Sequence, residues 1–450
     1  MTLRRTLRLT LRYAATTVDV TPPTMVPLAG YAARAPQPAT GTHDPLTASL
    51  LWLSGDGDSS GGVCWVAVDA LGLDVQTSAR IRAVVAAGTG IDPDHVLICS
   101  SHTHSGPATW WRPASPTPWH TVLADDAAID RLVKDISRGA NRLPAIRHSV
   151  TAGWATVADV GVGGNRYDPA GPHDTSTGVL TLRDPDDAVV AVLFDYACHP
   201  TVLGHSNLAY SADYPAATRR VIRAALQETE GVETPPVVAF LQGAAGDAST
   251  RFTRRGSTFA EADRQGAMLA GALLRGVLAA EPVAGADPLV LRGTCTVPTR
   301  SLPTAAMVRT TLAAAQEAWA KVDPGDGPGP ETPEIRIART RCEGALALAA
   351  MREADLPAEL ELPISVVAVG DVAWAHLPVE PFACFGKQIR AGSPFPCTRT
   401  VGYTDGYFGY LADEPAHRDG RYEALSSVFG PSAGELVVRE TVALLHKARE

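Results

Sequence analysis

Val96-Leu97-Ile98-Cys99-Ser100-Ser101-His102-Thr103-His104-Ser105-Gly106-Pro107 joins a short apolar run to two histidines two positions apart. The run has the length and composition of a buried strand. Side chains at i and i+2 of a strand leave the same face, so both imidazoles are expected at the strand's carboxyl end, directed at one object. A metal ion suits that object: neutral imidazole is a good zinc donor, and a catalytic zinc takes three protein ligands and keeps one position open. Two hydrogen-bonded loop histidines would leave the same pattern, so the reading needs further donors.

Two more sites outward along the chain supply candidates. The run Val192-Leu193-Phe194-Asp195-Tyr196-Ala197-Cys198 ends in His199, followed by Pro200, which cannot donate to a strand ladder. Glu380 lies in Pro378-Val379-Glu380-Pro381 after the apolar segment 366–377, and flanking prolines make a stiff turn that suits a ligand. Taken singly, His199 reads equally as a strand-end histidine satisfied by a carbonyl, and Glu380 as an exposed loop carboxylate.

The remaining pattern alternates strands with helices. Further strands are expected at 63–68, 151–157, 179–182, 189–196, 237–241 and 289–297. Ile81, Val84 and Val85 form a helical stripe ended at Gly88; Val221, Ile222, Ala225 and Leu226 form another after Pro215; 260–280, 305–321 and 335–351 also read as helices, the first rich in small residues that allow close helix approach. The fold class is therefore mixed α/β, with central mixed β-sheets flanked by helices.

Composition restricts the function. With 450 residues, 45% of them hydrophobic and 19% charged, the chain can bury a large core. A formal net charge of −9 opposes nucleic acid and anionic membrane faces as partners; the basic pairs Arg4-Arg5 and Arg254-Arg255 read as solvated surface. Leucines alternate with polar residues over 1–12, as in a strand, and leave no apolar core of about 7 to 15 residues for a secretory signal. No run of about 18 apolar residues suggests a membrane span. Seven scattered cysteines, an odd number, suit buried free thiols in a reducing compartment, so a cytoplasmic location is expected.

Several short motifs fall in one order: Val18-Asp19-Val20-Thr21-Pro22-Pro23, Gly41-Thr42-His43-Asp44-Pro45-Leu46, the His102 to Pro107 stretch, Asn165-Arg166, Cys198-His199-Pro200-Thr201, Gly246-Asp247-Ala248-Ser249, Pro378-Val379-Glu380, Tyr407-Phe408-Gly409-Tyr410 and Arg421-Tyr422-Glu423. In these motifs the chain resembles the neutral/alkaline, non-lysosomal ceramidase family over most of its length. The resemblance implies a zinc amidase with one ion per chain held by His102, His199, Glu380 and Tyr410. It further implies that His104, Arg166 and Tyr422 handle the substrate amide and its developing oxyanion, while metal-activated water attacks the amide carbon.

Ceramide-cleaving members of that family are longer, carry a secretion signal and end in an immunoglobulin-like domain; the resemblance here covers the catalytic domain only. The wording around His199 and over Gly243-Ala244-Ala245-Gly246-Asp247 also departs from theirs, so the expected substrate is a small N-acyl compound rather than membrane ceramide. Asp323-Pro324-Gly325-Asp326-Gly327-Pro328-Gly329-Pro330 is the one clear break. Because the implied ligands fall on both sides of it, a single catalytic domain over 1–450 is expected, with a Pro/Gly-rich surface loop at 323–333.

Other readings stay open. Ser249 could be a nucleophile, although no GxSxG elbow surrounds it, or its loop could frame the pocket with backbone groups. Asp69 and Asp213 could orient metal-bound histidines or be ordinary cap and turn residues; His43 and His205 are possible supports of the same kind. Trp110, Trp111 and Trp119 could form a lipid-facing lip, floor a pocket or pack a core. A zinc esterase or lactonase of a small metabolite would use the same ligands, and a non-catalytic ligand-binding module is the alternative of a different class. The oligomeric state is not readable.

Overall fold

The computed structural model describes residues 11–34, 36–57, 61–110, 124–230, 234–283, 287–322, 332–354 and 356–450, and all that follows concerns these. The expectations for residues 1–10, Trp111, Trp119 and the 323–330 break lie outside the described residues.

The larger sheet is built from β1 (Leu11–Asp19), β2 (Thr47–Gly55), β3 (Val63–Val68), β4 (Val96–Ser100), β5 (His148–Val157), β6 (Thr177–Arg183), β7 (Val189–Tyr196) and β8 (Val237–Gln242). These run in the order β8-β7-β6-β5-β1-β2-β3-β4, with Glu281–Pro282 added beside β5. The inner pairs are antiparallel, whereas β3·β4 at one edge and β7·β8 at the other are parallel. A parallel pair needs a crossover, and helices supply both: α1 (Val75–Thr89) joins β3 to β4, and a helix over Tyr214–Glu230 joins β7 to β8. The chain thus leaves β4 toward His102 and β7 toward His199 from opposite flanks of one sheet.

Those flanks nevertheless approach each other, because the sheet curls until β8 lies beside β2, β3 and β4. Residues 401–405 close the seam by their backbone: Ser100 N–H donates to Tyr403 O at 3.0 Å, Asp405 N–H to Ile98 O at 2.8 Å, and Gly402 N–H to Gln242 O at 2.9 Å. This stitching satisfies strand edges that would otherwise be unpaired.

The smaller sheet contains β9 (Leu289–Pro298), β10 (Glu359–Val369), β11 (Val372–His376) and β12 (Cys397–Val401), in that order. The apolar segment 366–377 is not one strand. It folds back as the β10–β11 hairpin, pairing Val369 with Val372 around Gly370, whose φ of 55° a tight turn requires. Both arms are apolar because both are buried, which hid the reversal. The two sheets meet through Trp374, whose ring lies 5.7 Å from Trp65 and 5.3 Å from Trp154, both edge-on. Val290, Val367 and Val401 of the small sheet share that core with Leu97, Leu193 and Leu241 of the large one.

The other helices are α2 (Asp126–Ala140), α3 (the Tyr214–Glu230 crossover), α4 (Phe259–Leu278), α5 (Ala305–Val322), α6 (Pro333–Glu353), α7 (Ala383–Gly392), α8 (Glu414–Arg418), α9 (Tyr422–Ser426) and α10 (Ala433–Arg449). Two boundaries differ from expectation. Helix α1 runs through Gly88 and stops one residue later, where Gly90 takes the left-handed cap at φ 80°. Gly88 is there for closeness, since a Cβ on it would come within 2.6 Å of Asn141 Oδ1. Thr332 caps α6 and Pro333 opens it, so the loop expected to reach 333 gives way to helix. Small residues do permit close approach of α3 and α4: a Cβ at Gly266 would lie 2.7 Å from Tyr214 O.

Candidate metal centre

His102 follows β4 but not in a strand conformation. Its φ is 63°, left-handed and strained for a residue with a side chain. The expected reason for the HxH pair, alternation along a pleat, therefore does not apply; a turn after Ser100 brings the rings together, with His104 Nε2 3.3 Å from His102 Nε2. The turn is pinned to the neighbouring strand's exit, Ser101 N–H donating to Val68 O at 2.9 Å and His102 N–H to Ala70 O at 2.8 Å. His102 Nδ1 lies 2.7 Å from Leu71 O. A carbonyl can only accept, so Nδ1 carries the proton and Nε2 keeps its lone pair.

His199 is held the same way. Its Nδ1 sits 2.7 Å from Ala245 O and 3.0 Å from Ala248 O, and its backbone N–H donates to Ala248 O at 3.0 Å. The Gly246-Asp247-Ala248-Ser249 loop thus frames the site with carbonyls. Glu380 comes from the other half of the chain, where Glu380–Pro381 pairs in parallel with Tyr410–Leu411, Glu380 opposite Tyr410. Glu380 Oε2 is 3.2 Å from both His102 Nε2 and His199 Nε2. Tyr407 donates to Oε1, and Tyr403 Oη lies 3.4 Å from Oε2.

All three groups are buried. Two imidazole lone pairs and a carboxylate oxygen facing one another away from water repel unless a cation lies among them, and His199 Nε2 has no hydrogen-bond donor. Protonation agrees with a ligand set. Burial pushes the His199 imidazole down to about 4. Burial by itself would raise the Glu380 carboxyl, but the facing His102 and His199 hold it well below the usual carboxylate range. A neutral His199 beside an ionised Glu380 is what a metal requires. The donor set therefore fits a divalent cation such as zinc.

His104 joins His102 and His199 in a cluster whose ligand atoms all lie within 4.8 Å of one another. It differs from them in one respect: its buried Nδ1 has no hydrogen-bond partner. Histidines that bind metal nearly always donate the other ring N–H to a fixed acceptor. Burial first, and then His102 and His199, press the His104 pKa well below its ordinary value, so the ring is neutral.

Arg166, Tyr410 and Tyr422 gather beside this cluster. Arg166 follows the short Gly164–Asn165 strand paired with Ala248–Ser249, and its N–H donates to Asp247 O at 2.8 Å. Its guanidinium pairs with Glu423, bonds the Tyr410 side chain and stands 5.3 Å from the Tyr410 ring centre. Burial works against the Arg166 charge, yet Tyr410 and Glu380 more than offset it. Tyr422, first residue of α9, meets the Tyr410 ring edge-on at 5.8 Å. Burial drives the Tyr410 phenol well above 10 and lifts that of Tyr422 too, keeping both protonated. These groups line a cavity of about 450 Å³, large enough for a drug-sized ligand.

Several expected supports lie elsewhere. Asp69 holds Arg219 through two bonds of 2.9 and 2.7 Å, and Asp213 accepts from the backbone of Val202, Leu203 and Tyr214. His43 stacks on Phe259; His205 and Ser249 line the cavity wall; Trp110 is buried in the core under α1 and α2. Arg254 is not solvated surface: it lines the cavity and donates to Thr201 O and Val202 O. Sequence reasoning missed Tyr403, Tyr407, Glu423 and Tyr167, which donates to Glu423; Tyr407 and Glu423 both sat inside quoted motifs without a role.

Compared with solved structures, the chain superposes on neutral ceramidase from Pseudomonas aeruginosa with a TM-score of 0.75 and 17% identity, over 98% of this chain and 75% of that one. The chain has the neutral ceramidase fold. A ceramidase complexed with C2 gives 0.72 and 17%, over 98% and 76%. No family model matches the sequence, and no curated protein does. Among the described residues no helix is long and apolar enough to cross a membrane.

Proposed function

We propose that the chain is a zinc-dependent amidohydrolase acting on a small N-acyl amide. The observation that carries this reading is the meeting of three buried acceptor atoms, His102 Nε2, His199 Nε2 and Glu380 Oε2, at the floor of a substrate-sized cavity. His102, His199, Glu380 and Tyr410 would hold the ion, with His104 left out because its ring is unanchored. Zinc bound there would supply an activated water and polarise the scissile carbonyl.

The chain's own residues do the rest. Arg166, kept charged by Tyr410 and Glu380, and Tyr422, kept protonated by burial, donate to the carbonyl oxygen as charge develops on it. Neutral His104 donates one N–H without adding charge to the site. Leu71 O, Ala245 O and Ala248 O orient the two ligand rings, while Tyr403 and Tyr407 orient Glu380. Because the donors come from both sides of the 323–331 segment, we read the chain as one catalytic domain. Its seven unpaired cysteines support a reducing, cytoplasmic setting.

The test is metal analysis with turnover of N-acyl amides of increasing chain length, each beside its ester. About one zinc per chain with chelator-sensitive cleavage of short amides is the expected result. Faster cleavage of the esters would favour an esterase or lactonase, activity peaking at long chains in detergent would favour a lipid substrate, and a chain that holds no metal would be a binding module.

A further inference from the structure

Around the cavity the charge balance is opposite to that of the molecule. The chain as a whole carries a formal net charge of −9, yet Arg166, Arg251, Arg254, Arg336 and Arg339 all line this one cavity. The carboxylates in its lining are already engaged: Glu380 faces the two imidazoles, Glu423 takes Arg166 and Tyr167, and Glu343 takes Arg339 at 2.9 Å. The arginines away from the floor come from two elements. Arg251 and Arg254 belong to the loop after Ser249, and Arg336 and Arg339 lie on α6 one turn apart. None of the four is fully exposed, so they form cavity wall rather than outer surface. Arg251 and Arg254 are fixed by carbonyls of Arg166, Thr201 and Val202, which orients their guanidinium groups before any ligand arrives.

Beside the imidazoles the wall is different in kind. Leu28, Ala29, Leu71 and Ala108 offer apolar surface next to the turn that carries His102 and His104. Phe252 and Ile337, each adjacent in sequence to one of the arginines, line the cavity while half exposed. A neutral amide has no use for a cluster of half-buried guanidinium groups, whose fork geometry matches a carboxylate or phosphate. A cleft lined by one sign of charge also concentrates ligands of the other sign.

Building on the amide-hydrolase reading, we propose that the substrate is an amphiphilic N-acyl amide bearing an anionic group, and that Arg254 and Arg336, aided by Arg251 and Arg339, select for that group. An anionic membrane surface is the less apt occupant, because these arginines are partly buried in a cavity wall and the net charge of the chain repels such a surface.

The zinc-loaded chain would be assayed on two matched pairs: N-octanoylglycine with N-octanoylglycinamide, and N-octylsuccinamic acid with its primary amide. In at least one pair the carboxylate should be preferred in kcat/KM by about tenfold or more, as for charge-assisted hydrogen bonds, through KM rather than kcat, and the preference should shrink as salt rises. In R254Q/R336Q the ratio should fall toward one. R336Q alone, which leaves the 251–254 loop untouched, should lower it part of the way, and thermal melts would establish that both variants fold.

Equal rates within both pairs, or a preference that R336Q leaves undiminished, would overturn the inference while leaving the hydrolase reading intact. If no amide is cleaved, the hydrolase reading fails, and calorimetry decides the inference by itself: N-octanoylglycine must bind more tightly than N-octanoylglycinamide, and less so in R336Q. Sedimentation with phosphatidylglycerol vesicles that R336Q abolishes, without any carboxylate preference, would assign the arginines to a lipid surface and also overturn it.

Discussion

At the scale of single residues, what separates a metal ligand from its neighbour is the fate of the second ring nitrogen. His102 and His199 commit Nδ1 to carbonyls, and His104 does not. His102→Ala and His199→Ala should therefore lose bound zinc together with activity, whereas His104→Ala should keep about one zinc per chain and lose turnover by roughly two to three orders of magnitude. Zinc loss in His104→Ala would move that residue into the ligand set. Tyr410→Phe removes one oxygen and leaves the ring packed, so it should fold, bind zinc somewhat less tightly and turn over slowly; Tyr422→Phe should cost about 2 to 4 kcal/mol in the barrier and no zinc. Normal rates in both would dismiss the tyrosines. The family resemblance named these five residues together, yet for the pairing of His102 with His104 the strand pattern gave a mistaken cause, a pleat instead of a strained turn. Sequence reading could not single out the carbonyls of Leu71 and Ala245, because a backbone acceptor has no residue identity to read, whereas the loop holding Ala248 was one of the two readings offered for Ser249. Tyr403 was visible only as one more aromatic residue in a glycine-rich stretch, four positions before Tyr407.

At the scale of elements, strands were legible where burial made a continuous apolar run, as at β3 and β7, whose bounds match the expected ones. The β10–β11 reversal was not, because a turn marked by Gly370-Asp371 is a weak signal inside a buried run. Where two sheets meet, local pattern says nothing, and there His376 carries a testable consequence. It ends β11 with Nε2 3.4 Å from Trp65 Nε1 of β3 and Nδ1 3.2 Å from Thr404 Oγ1. Burial pushes its imidazole down to about 3. The folded state thus keeps the ring neutral while the unfolded chain takes up a proton below about 6.5, so this contribution to stability is complete above pH 6.5 and is lost as pH falls toward 3. His376→Gln keeps an acceptor for Trp65 without a titrating group. Between pH 6 and 4 its unfolding free energy should vary less steeply than that of the wild type by about 1.4 kcal/mol per pH unit, measured by denaturant titration. An unchanged slope would mean that His376 already titrates normally in the fold.

At the scale of the whole molecule, the site is a junction. His102 and His199 leave opposite flanks of the curled sheet, and Glu380 arrives from the segment that follows β11, next to the 401–405 stitch that closes the seam. Without a cation, three acceptors press together where the chain is otherwise well packed, so the fold carries a local cost that function imposes. Metal removal should lower the melting temperature, since an ion bound to the folded state at a thousand times its dissociation constant adds about 4 kcal/mol. Glu380→Gln separates that linkage from the repulsion beneath it. The amide can still accept from Tyr407 through its oxygen while its NH₂ donates to His102 Nε2 and His199 Nε2, turning a clash of lone pairs into hydrogen bonds. Metal-free E380Q should accordingly melt at or above metal-free wild type, show little response to added zinc, and have no activity. If it melts well below metal-free wild type, the three acceptors are already reconciled by a proton held between them, and the argument for a cation at this junction loses its physical basis.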